Sequence, residues 1–141
     1  MTSARVILDT NVLISRLLIP GSVAGRAVRQ VLDRAVPLVS EDTMAELAQT
    51  LAKPKFDPYV TLDDRKEFFR LFARVAEWVP VSSTIRASRD PTDNKFLELA
   101  VDGAATLLLT GDKDLLELGG FRSTAIMSPA DVLALPESTW A

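Results

Sequence analysis

The stretch Arg5-Val6-Ile7-Leu8-Asp9-Thr10-Asn11 decides the fold: a short β-branched and apolar run breaks off at three polar residues. Such a run reads as a buried strand whose carboxyl end carries polar side chains. Downstream, residues 12–19 have helical character until Pro20-Gly21 stops them, and Ser22 caps a helix whose Ala24, Ala27, Val28, Val31 and Leu32 fall on one face. Val36-Pro37-Leu38-Val39 is a second strand, with Pro37 marking its beginning or a sheet edge. Ser40 caps a helix over 41–52 with the stripe Met44, Leu47, Ala48 and Leu51, which Lys53-Pro54-Lys55 ends. Residues 54–58 are expected to be the loosest loop.

The alternation continues along the chain. Thr61 and Asp64 resemble a capping box and open a long helix with Phe68, Phe72, Val75 and Val79 on one face, the most strongly amphipathic of the set. A third strand is expected over 78–81. Asp90-Pro91-Thr92-Asp93 starts another helix, which turns Phe96, Leu97 and Ala100 inward. Thr106-Leu107-Leu108-Leu109-Thr110 is a buried strand ending in Gly111-Asp112-Lys113-Asp114, and Thr124-Ala125-Ile126-Met127 is a last strand before Pro129 opens a small helix. Strands alternating with helices predict a three-layer α/β/α sandwich around a mostly parallel sheet.

At 141 residues the chain has the size of one domain, spanning 1–141, and needs no metal or disulfide merely to fold. It contains neither cysteine nor histidine. That removes thiol nucleophiles, Ser-His-Asp triads and the usual zinc sites, and leaves carboxylates to carry any catalysis. A net charge of -3 lacks the basic footprint of a dedicated nucleic-acid binder, so such binding would have to be local or metal-assisted. The cysteine-free composition and the absence of a signal-like or membrane-spanning apolar segment lead to an expected cytoplasmic location without membrane contact.

In an open parallel sheet the binding crevice lies outside the carboxyl ends of the strands, where strand order reverses. Asp9 follows the first strand directly, and Asp112 and Asp114 follow the 106–110 strand. Asp93 shares helical spacing with Phe96, Leu97 and Ala100, which turns a carboxylate at the helix start towards the sheet. Convergent carboxylates repel one another unless a cation intervenes or some take up protons. Ligands made only of oxygen suit Mg²⁺ or Mn²⁺ and phosphate substrates, and with no histidine present a water activated by the metal is the expected nucleophile. The reaction class indicated is phosphodiester hydrolysis.

The ordered set Val-Ile-Leu-Asp-Thr-Asn-Val (6–12), Asp-Pro-Thr-Asp-Asn-Lys-Phe-Leu-Glu-Leu-Ala (90–100) and Leu-Leu-Leu-Thr-Gly-Asp-Lys-Asp-Leu (107–115) resembles the PIN domain, in its bacterial toxin-like branch related to VapC toxins. The likeness runs from residue 6 to about residue 133. It implies an endonuclease for single-stranded RNA that uses Mg²⁺ or Mn²⁺, paired with an antitoxin and assembled as a homodimer. Carried over by position, the metal-binding and catalytic acids would be Asp9, Glu46, Asp93 and Asp112, with Asp114 as an auxiliary metal ligand. Asn11 and Thr110 would support them through hydrogen bonds. Periodicity sends Glu46 to the face opposite Met44, Leu47, Ala48 and Leu51. Either that helix is buried on two sides or Glu41 or Asp42 lies nearer the site.

Each acid also has a purely structural reading. Asp9 and Asp90 are good helix caps, Asp93 suits the first turn of a helix, and Asp112 and Asp114 suit a glycine-containing turn. Asp90 is assigned to capping alone. Lys95 and Lys113 are read as neutralising the site or contacting phosphate, or else as solvated ion pairs. For RNA contact the candidates are Arg16, Arg26, Arg29, Lys53 and Lys55, none of which forms a dense patch. A phosphatase of the HAD type with Asp9 as nucleophile would want a second acid where Asn11 stands, and a phospho-accepting receiver would want adjacent acids where Leu8 and Thr10 flank Asp9. A binding module that keeps the acids without turnover is the non-enzymatic rival.

Overall fold

A computed structural model describes residues 3–140; the outermost positions of the expected 1–141 domain, residues 1, 2 and 141, lie outside the described residues. Strand β1 (Arg5–Leu8) leads into α1 (Thr10–Leu18) and α2 (Val23–Arg34), followed by β2 (Val36–Val39), α3 (Glu41–Leu51), α4 (Leu62–Val75) and β3 (Glu77–Trp78). The second half holds α5 (Asn94–Asp102), β4 (Leu107–Leu109), α6 (Lys113–Leu116), β5 (Gly120–Phe121), β6 (Thr124–Met127) and α7 (Pro129–Leu133). The sheet order is β3-β2-β1-β4-β6-β5, and every pairing is parallel except β5 with β6.

Side-chain alternation along the central strands builds both cores. Val6, Leu8, Leu107 and Leu109 face α1, α2, α3 and α7, where Val12, Val28, Leu47 and Val132 complete one buried layer. Ile7, Leu38, Leu108 and Ile126 face the other way, onto Phe96, Leu97 and Ala100 of α5 and Leu115 of α6. The fold is the expected α/β/α sandwich with a mostly parallel sheet.

The helix starts follow the caps. Ser22, Ser40 and Thr61 accept the backbone N–H of Gly25, Thr43 and Asp64 respectively, and in α3 the Thr43 hydroxyl reciprocates to the Ser40 N–H. Pro37 stands at the start of β2, beyond the reach of β3, which pairs only with Leu38 and Val39. Gly25 lets α2 approach the preceding loop: a Cβ there would lie 2.5 Å from the Pro20 carbonyl oxygen and 2.7 Å from that of Ile19.

Four details differ from the expectations. The third strand occupies Glu77–Trp78, not 78–81: Val79 N–H still bonds Val39 O at 2.8 Å, and Pro80 then has no donor to continue the ladder. On α4, Val75 is 59% exposed, because the packed face runs through Phe68, Phe69, Phe72 and Ala73 at the margin of the core. It is α2, with Ala27, Val28 and Val31 all fully buried, that has the sharper division into inner and outer faces. Residues Pro54–Phe56 form a 3₁₀ turn tied down by Arg65, which donates to the carbonyls of Leu51 (2.8 Å), Lys53 (3.2 Å) and Val60 (3.1 Å) and to Asp57 (2.5 Å). The short antiparallel β5 has no periodic signature and was not expected; Arg122, at φ 53°, makes its turn into β6.

Candidate active site

Strand order reverses between β1 and β4, and the residues that leave these two strands open the crevice. Asp9 follows β1 and caps α1: its Oδ1 accepts the Val12 N–H at 2.9 Å, and its Oδ2 accepts the hydroxyl of Thr110. Asp9 is only 4% exposed. Burial pushes its carboxyl up to about 6, the charges of Asp112 and Glu46 add to that rise, and the two hydrogen bonds oppose it.

Thr110 also accepts the backbone N–H of Asp112 at 2.9 Å, which orients the turn after β4. Asp112 in turn caps α6 by accepting the N–H groups of Asp114 and Leu115 through one oxygen. Its capping role and its place in the crevice coexist, as they do for Asp9.

Asp93 enters from the last residue of the 3₁₀ turn Pro91–Asp93, at the head of α5. It is 8% exposed, and its Oδ2 is buried without a hydrogen-bond partner among the described residues. Burial raises its carboxyl to about 7, reinforced by the charges of Asp112, Asp90, Asp9 and Glu46. One carboxylate oxygen from each of Asp90, Asp93 and Asp114 lies within 4.8 Å of the others. Asp90 was assigned to capping alone; it does cap the turn, accepting from Thr92 N–H at 3.0 Å, and it also stands beside Asp93.

Glu46 reaches the crevice. Its helix packs against α1, α4 and α5, and Glu46 is half-buried beside α1 and α5, while Ala45, Gln49 and even Ala48 of the expected apolar stripe stay exposed. Glu46 Oε2 accepts the Thr10 hydroxyl, and Oε1 pairs with Lys95 Nζ at 2.8 Å. Glu41 and Asp42 are exposed, and Asp42 lines a different cavity with Arg86 and Glu98. Thr10 was not expected to participate; its signal was a hydroxyl adjoining the acid at the end of a strand.

Asp9, Glu46, Asp93 and Asp112 thus line one crevice of about 450 Å³, while Asp114 approaches Asp93 from its flank. Asn11 also lines the crevice, but its side chain is exposed and makes no hydrogen bond among the described residues. The donor set consists of carboxylate and hydroxyl oxygens, and the unpartnered Asp93 Oδ2 supplies a ligand atom with no other use. Hard divalent cations with oxygen ligands, Mg²⁺ or Mn²⁺, fit this composition.

A family model described as the PIN domain matches residues 5–114. The chain belongs to the PIN domain family. An uncharacterized protein of Methanocaldococcus jannaschii is 29% identical over 116 residues, covering 81% of this chain and 74% of that protein. Among solved structures, VapBC2 of Rickettsia felis bound to a DNA fragment from its promoter superposes with a TM-score of 0.60 at 11% identity, covering 88% of this chain and 98% of that one. FitAcB of Neisseria gonorrhoeae gives 0.57 at 19% identity, with 89% and 98% covered. At such identities the likeness is one of fold, and this PIN domain shares the fold with both. No helix among the described residues is long and apolar enough to cross a membrane.

Proposed function

We propose that this PIN domain is a metal-dependent endonuclease of single-stranded RNA, acting as the toxin of a toxin–antitoxin pair. The carrying observation is the buried, unpartnered Asp93 Oδ2 in a crevice shared with Asp9, Glu46 and Asp112. Carboxylates gathered at such a density carry a standing electrostatic cost that a divalent cation relieves. Membership of a family whose members are in general nucleases supports the reaction class. The fold shared with VapBC2 and FitAcB supports an antitoxin as protein partner, and a cytoplasmic homodimer completes the proposal.

In this reading Asp9, Glu46, Asp93 and Asp112 hold Mg²⁺ or Mn²⁺, and Asp114 assists through Asp93. When bound, the ion neutralises charge on the scissile phosphate and activates water for in-line attack. Thr110 and the Val12 N–H fix the Asp9 carboxylate in one orientation, leaving little reorganisation at the moment of reaction. Asp93, whose carboxyl burial raises to about 7, would hold the cation through its carboxylate form and release its proton in doing so. Lys95 and Thr10 each hold one oxygen of Glu46, so this carboxylate is aimed before substrate enters. Asn11, at the crevice lining and free of internal hydrogen bonds among the described residues, is placed to contact substrate.

The test is cleavage of a mixed single-stranded RNA pool by purified protein in Mn²⁺, in Mg²⁺ and in EDTA, with Asp93→Asn as the matched control. Cutting that needs the metal and disappears in the variant supports the proposal; absent cutting, or cutting that survives in Asp93→Asn, rejects it.

A further inference from the structure

The acids occupy only part of the crevice lining; the rest includes Lys53, Lys55 and Phe56, from the 3₁₀ turn that follows α3. The two lysines are exposed, and neither makes an ion pair among the described residues, whereas Lys95 is committed to Glu46. Phe56 is half-buried: part of its ring packs against the core, and Lys55 Nζ lies 5.2 Å from its centroid. The ring face that the Lys55 ammonium covers is taken by a mobile, exposed side chain and not by the core.

The turn is also rigid for a reason that packing alone does not require. Arg65, 2% exposed, spends its guanidinium on the carbonyls of Leu51, Lys53 and Val60 and on Asp57. These bonds bracket residues 53–57 on both sides, so the backbone that carries Lys53, Lys55 and Phe56 is held before any ligand binds, which lowers the ordering cost of binding.

We propose that the Lys53–Phe56 turn is the strand-binding wall of the crevice, with Lys53 and Lys55 taking phosphates that flank the cleaved one and Phe56 stacking one unpaired base. This rests on the RNA-nuclease reading above and adds to it the means of holding a single strand. The chemistry is a match: ammonium groups for phosphates, and an aromatic face for a base, which every nucleotide offers whatever its identity. On stacking, the base replaces the Lys55 ammonium over the ring and the lysine moves to the neighbouring phosphate. A paired base has both faces covered by its neighbours in the stack, so a duplex gains nothing from Phe56.

The test is anisotropy of a fluorescein-labelled single-stranded RNA of mixed sequence, titrated with full-length protein in Ca²⁺ over a series of salt concentrations. Lys53→Ala with Lys55→Ala is expected to lower the slope of log affinity against log salt by roughly 1.4, two phosphate contacts on a single strand. Phe56→Leu is expected to weaken binding about tenfold with the slope unchanged, and Phe56→Tyr to restore it. Circular dichroism melting verifies that each variant is folded. If wild-type protein binds and cleaves RNA while the lysine pair leaves the slope intact, or Phe56→Tyr loses as much affinity as Phe56→Leu, the wall lies elsewhere and this inference fails alone. If wild-type protein neither binds nor cleaves RNA, the nuclease reading fails and takes this one with it.

Discussion

Thr110, the residue directly after β4, donates its hydroxyl to Oδ2 of Asp9, the residue directly after β1. The bond spans the two neighbouring strands at which the sheet order reverses, and Thr110 is fully buried beneath it. One side chain therefore helps to orient the most buried acid in the crevice and opposes the rise that burial gives its carboxyl.

Thr110→Val removes this donor while keeping the branched shape. The Asp9 carboxyl, already raised to about 6, is expected to rise further, and the midpoint of metal-dependent cleavage in a pH–rate profile to move to higher pH by about one unit. Thr110→Ser restores the profile. Urea unfolding at pH 8 should show a loss of about 1–3 kcal/mol in the valine variant, the cost of an unsatisfied buried carboxylate oxygen. A profile identical to wild type would show that the bond has no part in the titration.

Asp93→Asn separates function from stability. It deletes a buried charge whose oxygen has no partner, so cleavage should fall on the order of 100-fold or more while the metal-free protein melts about 5 °C higher at pH 8. Differential scanning calorimetry in EDTA reads the second effect. The Tm increase that Mn²⁺ produces in wild type should shrink in the variant. An unchanged or lower Tm in EDTA would mean that the cluster carries no electrostatic cost.

The metal-free protein should lose stability as pH rises towards neutrality. The carboxyls of Asp9 and Asp93, ordinarily at 3.8, are raised in the folded state to about 6 and about 7, chiefly by burial. Between pH 4 and 7 the native state thus binds more protons than the unfolded one, and ∂ΔG/∂pH from these groups is negative. Their favourable contribution is complete below about pH 4, declines through pH 6 and 7, and is gone above. Asp90 and Asp102, lowered by hydrogen bonds from Thr92 and from Ser83 respectively, act oppositely but only near the acid limit. Urea midpoints at pH 5 and pH 8 in EDTA check the sign, and Mg²⁺ or Mn²⁺ should recover stability at pH 8.

Gly25→Ala tests the seat of α1 and α2. The new methyl would meet two backbone carbonyl oxygens at 2.5 and 2.7 Å, and neither can swing aside as a side-chain end could. A loss of about 2–3 kcal/mol in urea unfolding is expected, despite the better helix propensity of alanine. A stabilised variant would show that the loop at Ile19 and Pro20 moves freely.

Much of this architecture was legible because its signals are local. Ser22, Ser40 and Thr61 announce their helices through one hydrogen bond each, and the runs Val6–Leu8 and Leu107–Leu109 are too apolar and too short for anything but central strands. Glu46 is harder to read: an amphipathic stripe reports which face meets the core but not what meets the other, and it is the packing of α1 and α5 beside α3 that brings Thr10 and Lys95 to this acid. Asp90 is legible as a cap and not as a neighbour of Asp93 and Asp114, since its cap is local and that proximity is tertiary; Asp9 and Asp112 likewise both cap a helix and line the crevice. Gly120–Phe121 has no pattern to read, since a two-residue strand exists only through its partner.

The bond between Thr110 and Asp9 joins residues 101 positions apart in the chain. During synthesis, at about 5–20 residues per second, Asp9 leaves the ribosome many seconds before Asp112 is made. Until then the crevice lacks one wall, and a truncated product that ends before β4 leaves Oδ2 of the first acid without the Thr110 hydroxyl. A crevice assembled this way is incomplete on the nascent chain, and its two walls meet only once translation has passed β4.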